Sequence, residues 1–424
     1  MSDDLPDGWI ETTLGEVTTK AEQHAPLPDD EFFYIDISAV DRITKKISNP
    51  QKITGGKAPS RARQVVKRGD VLVSMTRPNL NAVAIVPNEF DNQIASTGFD
   101  VLRPQGIDAR WLYYLVRTDE FVSAMSDLVQ GALYPAVRPK DIRSYSIPLA
   151  PFPEQKCIAD KLDTLLGRLD RCQEHLERVP QLLKQFRQSV LAAATSGRLT
   201  EGWREEHQIS DDWEHTTFGK SGSVIGGLTK NGKRTLLEFT KPYLRVANVY
   251  ANRLELDDVS EIGLTNSEFK KTKLLKDDLL IVEGNGSLEQ VGRAAIWNGE
   301  IEDCVHQNHI IRWRSNGSVL PKYALFWLLS PEGRSFLVSV ASSTSGLNTL
   351  SISKVSAVPV SLPSLPEQHE IVRRVERLFG FADRLEARYR AARGQVAALT
   401  PSLLAKAFRG ELVPQDAEDT SAAG

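Results

Sequence analysis

The segment that decides the fold is PEQKCIADKLDTLLGRLDRCQEHLERVPQLLKQFRQSVLAAATSGRL, residues 153–199, and a related segment follows 213 positions later at residues 366–412. In the first copy, apolar or small side chains recur at steps of four and three, at Ile158, Leu162, Leu165, Leu169, Cys172, Leu176, Val179, Leu183, Phe186 and Val190. The second copy keeps this register, at Ile371, Val375, Leu378, Ala382, Leu385, Tyr389, Ala392, Val396, Leu399 and Leu403. Two matched heptad seams predict an intramolecular coiled coil, with two unrelated amphipathic surface helices as the alternative.

Both long helices are predicted to start at the Pro-Glu-Gln triplet, because proline suits the first helical turn and a carboxylate there meets the positive end of the helix dipole. Gly197 and Gly410 follow the two triplets at the same distance and are predicted C-caps. Each helix would be about 60 Å long at roughly 1.5 Å per residue. Pro180 and Pro401 lie inside the seams and are expected to kink or interrupt the helices, so bent rods are predicted.

The rest of the chain repeats as well. The pattern Trp-x-x-Thr-Thr-apolar-Gly begins at Trp9 and again at Trp213. Residues 69–73 and 277–281 both read as a tight turn followed by a buried strand. We therefore predict an α+β protein with a pseudo-two-fold internal repeat, in which two globular domains of mixed strands and short helices are separated by two long antiparallel helices. The predicted boundaries are 1–150 and 200–362 for the domains, 151–199 and 363–413 for the helical spacers, and 414–424 for a disordered tail.

Two pairs of short helices are also predicted within this repeat. Asp108 and Thr118 are the expected N-caps of the first pair. The second pair is expected to start at Leu320-Pro321 and Ser330-Pro331, with proline in the first helical position.

Composition excludes several protein classes. The chain is 41% hydrophobic and 25% charged with a formal net charge of -3, which is typical of a folded globular protein and does not by itself suggest DNA as a partner. Its three cysteines are too few and too scattered for a disulfide framework, and no apolar run is long enough for a membrane span. The predicted location is cytoplasmic. Cys157 and Cys172 fall on or beside the first seam, where buried, inert side chains are expected.

Two mixed domains, each followed by a Pro-Glu-Gln helix that ends near Gly-x-Leu, resemble the specificity subunit of type I restriction-modification systems. The similarity covers nearly the whole chain, including the helix endings at residues 191–199 and 404–412 and the runs at 69–84 and 277–295. The resemblance implies two target-recognition domains that read a bipartite, asymmetric DNA sequence, one half-site per domain. It also implies that the helices set the spacing and dock two methyltransferase subunits, and that restriction subunits join them. S-adenosylmethionine, ATP and Mg would belong to those partner chains, and this chain would have no catalytic residues and no cofactor of its own.

Loops after buried strands are the candidate readers of DNA bases, since a rigid platform aims their side chains outward. Arginine can pair with guanine and asparagine with adenine, each through two hydrogen bonds. The candidates in the first domain are Ser74, Thr76, Arg77, Asn79, Asn81, Tyr134, Arg138 and Lys140. Those in the second domain are Gly284, Asn285, Ser287, Gln290, Arg293, Ser345 and Asn348. A polar turn between two strands is the alternative for each, and Arg138 and Lys140 could contact phosphates or be merely solvated.

Enzymatic constellations are weak in this sequence. Residues 227–233 match the first seven positions of a phosphate-binding loop, but Arg234 stands where that loop needs Ser or Thr. Cys304, His306 and His309 offer three zinc ligands without the fourth that a structural site needs, and an alternating strand is the alternative. No methyltransferase signature and no convincing nuclease carboxylate pair occurs. The competing function is a tandem-domain scaffold that assembles proteins without sequence-specific DNA binding; a stand-alone nuclease or methyltransferase is the third.

Overall fold

A computed structural model describes residues 5–131, 133–344 and 346–414 of the chain. Its internal contacts divide the chain into two units. The first unit contains residues up to 177 together with those from 390 onward, and the second contains residues 178–389. Each unit therefore holds one mixed domain and a part of both long helices. The predicted disordered tail lies outside the described residues from position 415 on.

The described residues of the first unit form short strands, three short α-helices, the start of one long helix and the end of the other. Its strands are Ile10–Thr13 (β1), Thr18–Lys20 (β2), Glu22–Gln23 (β3), Glu31–Ile35 (β4), Val40–Asp41 (β5), Lys46–Ile47 (β6), Gln51–Thr54 (β7), Ala62–Val65 (β8), Val71–Ser74 (β9), Val83–Ile85 (β10), Ile94–Ser96 (β11), Phe99–Pro104 (β12) and Ser146–Leu149 (β13). Its helices are Ala109–Leu115 (α1), Asp119–Asp127 (α2), Pro139–Arg143 (α3) and the long Phe152–Thr195 (α4), which continues into the second unit.

The second unit repeats this plan. Its helices are Glu201–His207 (α5), Phe218–Ser221 (α6), Asn266–Thr272 (α7), Pro321–Leu329 (α8), Pro331–Val340 (α9), Ile352–Ser356 (α10) and the long Leu365–Phe408 (α11), which ends in the first unit. Its strands are Glu214–Thr217 (β14), Gly222–Gly226 (β15), Thr240–Leu244 (β16), Val249–Tyr250 (β17), Arg253–Leu254 (β18), Ser260–Gly263 (β19), Asp278–Val282 (β20), Gly284–Asn285 (β21), Ala294–Trp297 (β22), Val305–His306 (β23), Ile310–Ser315 (β24), Ser342–Thr344 (β25), Leu347–Thr349 (β26) and Pro359–Leu362 (β27).

The sheets correspond in topology but not in size. The four-stranded sheet β10-β9-β12-β2 has its equivalent in β22-β20-β24-β15, and the antiparallel pair β1-β13 in β14-β27. The first unit adds the five-stranded sheet β3-β8-β11-β4-β7, whereas the second has only three strands there, β19-β16-β23. The two strands predicted to be buried, β9 and β20, are buried along their whole length, and each follows a turn whose φ is positive, at Gly69 and Asp277. These predictions are confirmed.

The short helices begin where the sequence predicted. Asp108 accepts hydrogen bonds from the first turn of α1, and Thr118 does the same for α2, as N-caps do. Helices α8 and α9 start at Pro321 and Pro331. Their buried faces, which include Trp111 in α1 and Trp327 in α8, contribute to the main cores of the two units.

The two long helices pack against each other inside each unit, in opposite directions. In the first unit, Leu166 of α4 belongs to the same core as Leu404 and Ala407 near the end of α11. In the second unit, Val190 near the end of α4 shares a core with Ile371 near the start of α11. The start of each helix thus lies against the end of the other, which confirms the predicted antiparallel coiled coil.

The Pro-Glu-Gln triplets connect each long helix to its domain. Trp9 donates its indole N–H to Glu154 at 3.0 Å, and Trp213 donates to Glu367 at 3.2 Å. The next residue in each triplet, a glutamine, accepts the backbone N–H that precedes α1 or α8, at 2.8 Å in both units. These bonds explain why the Trp-x-x-Thr-Thr pattern and the triplet repeat together.

Some details of the long helices differ from the predictions. Neither Pro180 nor Pro401 interrupts its helix, although each removes one backbone hydrogen bond, and the bending of the two helices stays a prediction. Cys157 and Cys172 are exposed, because the buried stripe of α4 runs through other positions near its start and thins toward its middle. Gly197 and Gly410 take the left-handed conformation that ends helices, as predicted. Of the helices that the structure describes, none has the length and apolarity needed to cross a membrane.

Candidate nucleic-acid interface

The first loop cluster, residues 74–81 with residues 133–140, joins two segments that are far apart in the sequence. Arg77 donates its backbone N–H to the Pro135 carbonyl at 2.8 Å, and Val137 donates to Met75 at 2.9 Å. Thr76 and Ala136 form an isolated antiparallel bridge. The two loops that the sequence singled out separately in the first domain therefore form one continuous surface.

Exposed polar and basic side chains cover this cluster. Arg77 and Asn81 both have positive φ, at 49° and 43°, and bracket the short turn Pro78–Leu80 that follows β9. Arg77, Arg138 and Lys140 are exposed, and among the described residues none of the three side chains makes an ion pair. Cations without carboxylate partners remain available for phosphates or base edges.

Two further cations lie behind the loop and were missed by the sequence analysis. Lys45 donates to the Asn81 side-chain oxygen at 3.0 Å and to its carbonyl oxygen, and burial lowers the pKa of this lysine to about 8. Arg117 lies 4.7 Å above the Tyr113 ring and further disfavours the charge on Lys45. Lys45 lies 36 residues before Asn81 in the sequence, so no local pattern marks it as part of this loop.

The second loop cluster, residues 283–293 with residues 346–350, is joined by strand pairing. Strand β21 pairs with β26, with Asn285 opposite Asn348, and Leu350 donates its backbone N–H to the Glu283 carbonyl at 2.8 Å. Ser287 and Gln290 are exposed in this cluster, and Asn285 accepts the Ser287 backbone N–H at 2.9 Å. Gly284 is packed closely, since a Cβ there would lie 3.2 Å from a methyl group of Thr349.

Arginines hold the second cluster in place. Arg334 of α9 donates to the carbonyl oxygens of Leu288, Glu289 and Val291, at 2.6–3.2 Å, and so fixes the loop from behind. Arg293 donates to the Val246 carbonyl at 2.9 Å and lies 4.8 Å over the Tyr250 ring. Burial lowers the pKa of both arginines. Sequence reasoning found Arg293 but missed Arg334, because it lies on a helix 45 residues away from Glu289.

The predicted contact residues differ in how far their side chains are exposed. Ser74 is buried and donates to the Thr76 carbonyl, and Asn348 is buried and donates to the Gly286 carbonyl, so neither presents a free side chain. Asn81 is half-buried, and its amide group donates to the Val116 carbonyl at 2.9 Å. Ser345 lies outside the described residues. The exposed candidates are Thr76, Arg77, Asn79, Tyr134, Arg138, Lys140, Ser287 and Gln290.

The weak enzymatic motifs have structural explanations. His306 lies in β23 and is fully buried, with Nδ1 at 2.9 Å from the Ile310 carbonyl, and burial lowers its pKa to about 4. Burial also raises the pKa of the Cys304 thiol to about 12, while His309 pairs with Glu283. The strand alternative thus describes this segment, and the described part of the chain contains no cluster of three metal-binding side chains. Arg234, which breaks the phosphate-loop pattern, pairs with Glu268 at 2.7 Å.

Comparison with known proteins agrees with this architecture. The model of the type I restriction modification DNA specificity domain matches residues 6–181 and again residues 210–391. The specificity subunit of the type I restriction enzyme EcoKI from Escherichia coli (strain K12) is 32% identical over 97% of this chain and 90% of its own length.

Two solved structures are also similar. A chain from a structure of the type I R-M system, solved to explain complex assembly and conformational transition, covers 96% of this chain and 100% of its own, with 25% identity and a TM-score of 0.77. The HsdS subunit from Thermoanaerobacter tengcongensis shares the fold, with 24% identity, a TM-score of 0.67, and coverage of 97% of this chain and 99% of its own. With two matched copies of the domain model and a full-length relative, this chain belongs to the family of type I restriction-modification specificity subunits.

Proposed function

We propose that this chain reads a bipartite, asymmetric DNA target, with one half-site contacted by each loop cluster. The observation that supports it is that two equivalent scaffolds carry clusters of different chemistry. The first cluster presents Arg77, Arg138 and Lys140, whereas the second presents Ser287 and Gln290 beside a half-buried Arg293. Different side chains on equivalent platforms would select different bases, which makes the target asymmetric.

Each exposed side chain has a role suited to its chemistry. Arg77 would pair with a guanine through O6 and N7, and Asn79 and Gln290 with adenines through N6 and N7. Arg138 and Lys140 would contact phosphates, which fix the register without reading sequence. Ser74 and Asn348 would support the loops from inside, since their side chains bond to backbone carbonyls.

The long helices would set the distance between the half-sites and dock the partner subunits. Two methyltransferase subunits would bind them, and restriction subunits would join that complex in the cytoplasm. S-adenosylmethionine, ATP and Mg would be bound by these partners. The chain itself would serve as the non-catalytic recognition subunit, in keeping with its family.

Exchange of the first domain tests this function directly. Residues 1–150 are replaced by the equivalent domain of a relative, and methylated bases are mapped in a host that expresses the complex. We expect one half of the methylated motif to change while the other half and the spacing stay the same. A motif that is unchanged, or changed in both halves, would contradict the proposal.

Insertion of one heptad tests the role of the helices. Seven residues that continue the seam are inserted at matched positions in α4 and α11, and methylated sites are mapped again. We expect a changed distance between the half-sites and unchanged bases within them. A scaffold that only assembles proteins would leave no sequence preference to map in either experiment.

A further inference from the structure

Two large apolar side chains protrude from the first loop cluster. Leu133 is 88% exposed and Tyr134 is 86% exposed, the highest values among the large hydrophobic residues that the structure describes. A single exposed leucine is ordinary on a protein surface. Two neighbouring apolar side chains with almost no contacts to their own protein are less common, and they suggest a partner that covers them.

The surroundings of this pair favour DNA as that partner. The following residue, Pro135, accepts the hydrogen bond from Arg77 and so holds the pair beside the turn that carries the candidate base readers. Arg138 and Lys140 follow a few residues later, both exposed. An apolar pair flanked by cations matches the groove of a duplex, where stacked bases lie between two rows of phosphates. An apolar protein surface would leave these cations without counter-charges.

The second loop cluster lacks such a pair. Its exposed apolar residues are Leu288, 45% exposed, and Leu347, 44% exposed. Leu347 is held within the strand pair β25–β26, and the loop of Leu288 is fixed by Arg334. These side chains are anchored to the protein on one side and do not extend into solvent as Leu133 and Tyr134 do.

We propose that Leu133 and Tyr134 insert into a base step of the first half-site and kink the DNA there, while the second half-site is read without such a wedge. The inference rests on the proposed DNA-reading function. Apolar wedges of this kind partly unstack neighbouring bases and bend the duplex by about 20–90°. The first half-site would then be selected partly by how easily it deforms, and pyrimidine–purine steps would be preferred at the wedge.

The test uses the complex of the full chain with its methyltransferase subunits and a duplex that carries the mapped methylation motif. The fluorescent base 2-aminopurine is placed in turn at each step of both half-sites, away from the methylated bases. Wild type is compared with Leu133→Ala/Tyr134→Ala and with Leu27→Ala, a control that truncates a 64% exposed leucine on another loop.

We expect binding by wild type and by Leu27→Ala to raise the fluorescence at one step of the half-site that the exchange of residues 1–150 changes. The double variant should lose this rise and bind the motif about tenfold more weakly, the order expected for loss of a base–aromatic contact. Because both side chains are almost fully exposed, their truncation leaves the core intact. Unchanged binding of the double variant to the second half-site would show that it is correctly folded.

Three fluorescence results would overturn the inference. Wild type could raise the fluorescence at no step, the double variant could keep the rise, or the rise could occur in the other half-site. Loss of all motif preference in wild type is a different outcome, since it would contradict the proposed function itself. A complex that fails to assemble with the double variant, while Leu27→Ala assembles, would assign the pair to a protein partner and refute the wedge.

Discussion

The two units use the same residues to attach their domains to the long helices and different residues at their loop clusters. At the helix starts, tryptophan–glutamate and glutamine–backbone bonds recur with nearly the same lengths. At the clusters, one unit joins its loops by an isolated bridge and the other by paired strands. The difference indicates that the attachment is fixed by the fold, whereas the clusters carry what is specific to each domain.

Even equivalent residues have different surroundings in the two units. Glu367 is fully buried and accepts hydrogen bonds from Thr200 and from Arg204, at 2.7 and 2.6 Å. Its counterpart Glu154 has one oxygen bonded to Trp9 and the other buried without a partner in the described structure. Burial accordingly raises the pKa of Glu154. The charge of Glu367 is therefore balanced by a cation, whereas the charge of Glu154 is not.

The largest predicted effect comes from this pair of glutamates. Glu367→Gln removes the buried one of the two carboxylates that lie 2.6 Å from Arg204 and leaves only the exposed Asp211 to pair with it. The free energy of unfolding should fall by about 3 kcal/mol, the lower end of the range for breaking a buried ion pair. Glu154→Gln should change stability by less than about 1 kcal/mol, because it removes a charge that has no cationic partner. Urea unfolding at pH 7 measures both. Equal losses in the two variants would show that the two carboxylates are energetically alike.

A second prediction concerns acid stability, which should differ between the units. His306 occupies the position that Ala95 has in the first unit, by their pairing with β16 and β4. Burial and the nearby Arg312 lower the pKa of His306 to about 4, whereas an unfolded histidine takes up its proton near pH 6.5. Stability from this neutral histidine is therefore fully present above pH 6.5 and is lost as the pH falls toward 4.

The loss should reach about 2 kcal/mol at pH 5, since one pKa unit corresponds to about 1.36 kcal/mol. His306→Ala should remove this part of the pH dependence even though it also creates a cavity. Urea unfolding of wild type and of His306→Ala at pH 7 and pH 5 measures how much stability each protein loses between the two pH values. If both lose the same stability between these pH values, His306 is not the acid-sensitive group.

The third prediction concerns which half-site each loop cluster recognises. Arg77→Ala should weaken discrimination at one base pair of the first half-site by about tenfold, within the range of about 1–3 kcal/mol for one bidentate contact. Gln290→Ala should do the same only in the second half-site. Binding of the methyltransferase complex to duplexes with single substitutions in each half-site measures this. Relaxed discrimination in the opposite half-site, for either variant, would reverse the assignment of the clusters.

The smallest predicted effect is electrostatic. Lys140 lies in α3, and the matching position in α10 is Ser353. Lys140→Ala should weaken binding to all sequences alike and reduce the slope of log K against log salt by about 1, as the loss of one phosphate contact does. Ser353→Ala is the matched control and should leave the slope unchanged. An unchanged slope in Lys140→Ala would mean that this lysine stays solvated in the complex.

Part of the interface could be predicted from sequence, and part could not. The candidate loops were recognisable because each follows a buried apolar strand whose pattern is local. The exposure of their individual side chains could not be predicted, because Ser74 and Asn348 are buried and donate hydrogen bonds to the backbone. Lys45 and Arg334 escaped notice because they reach their loops from distant segments. Cys172 is exposed although it lies on the heptad seam, because a heptad pattern predicts which side chains face the partner helix and does not predict how closely the two helices pack at each layer.

By itself the sequence determined the duplicated plan, the long helices with their starts and ends, and the family. These follow from periodicity, proline and glycine positions and repeated motifs, all of which are local and additive along the chain. Only the tertiary structure decided which loops meet, which polar groups are already bonded, and why two equivalent glutamates differ. Those properties depend on contacts between residues that are far apart in the sequence, and no pattern within one segment specifies its distant partner.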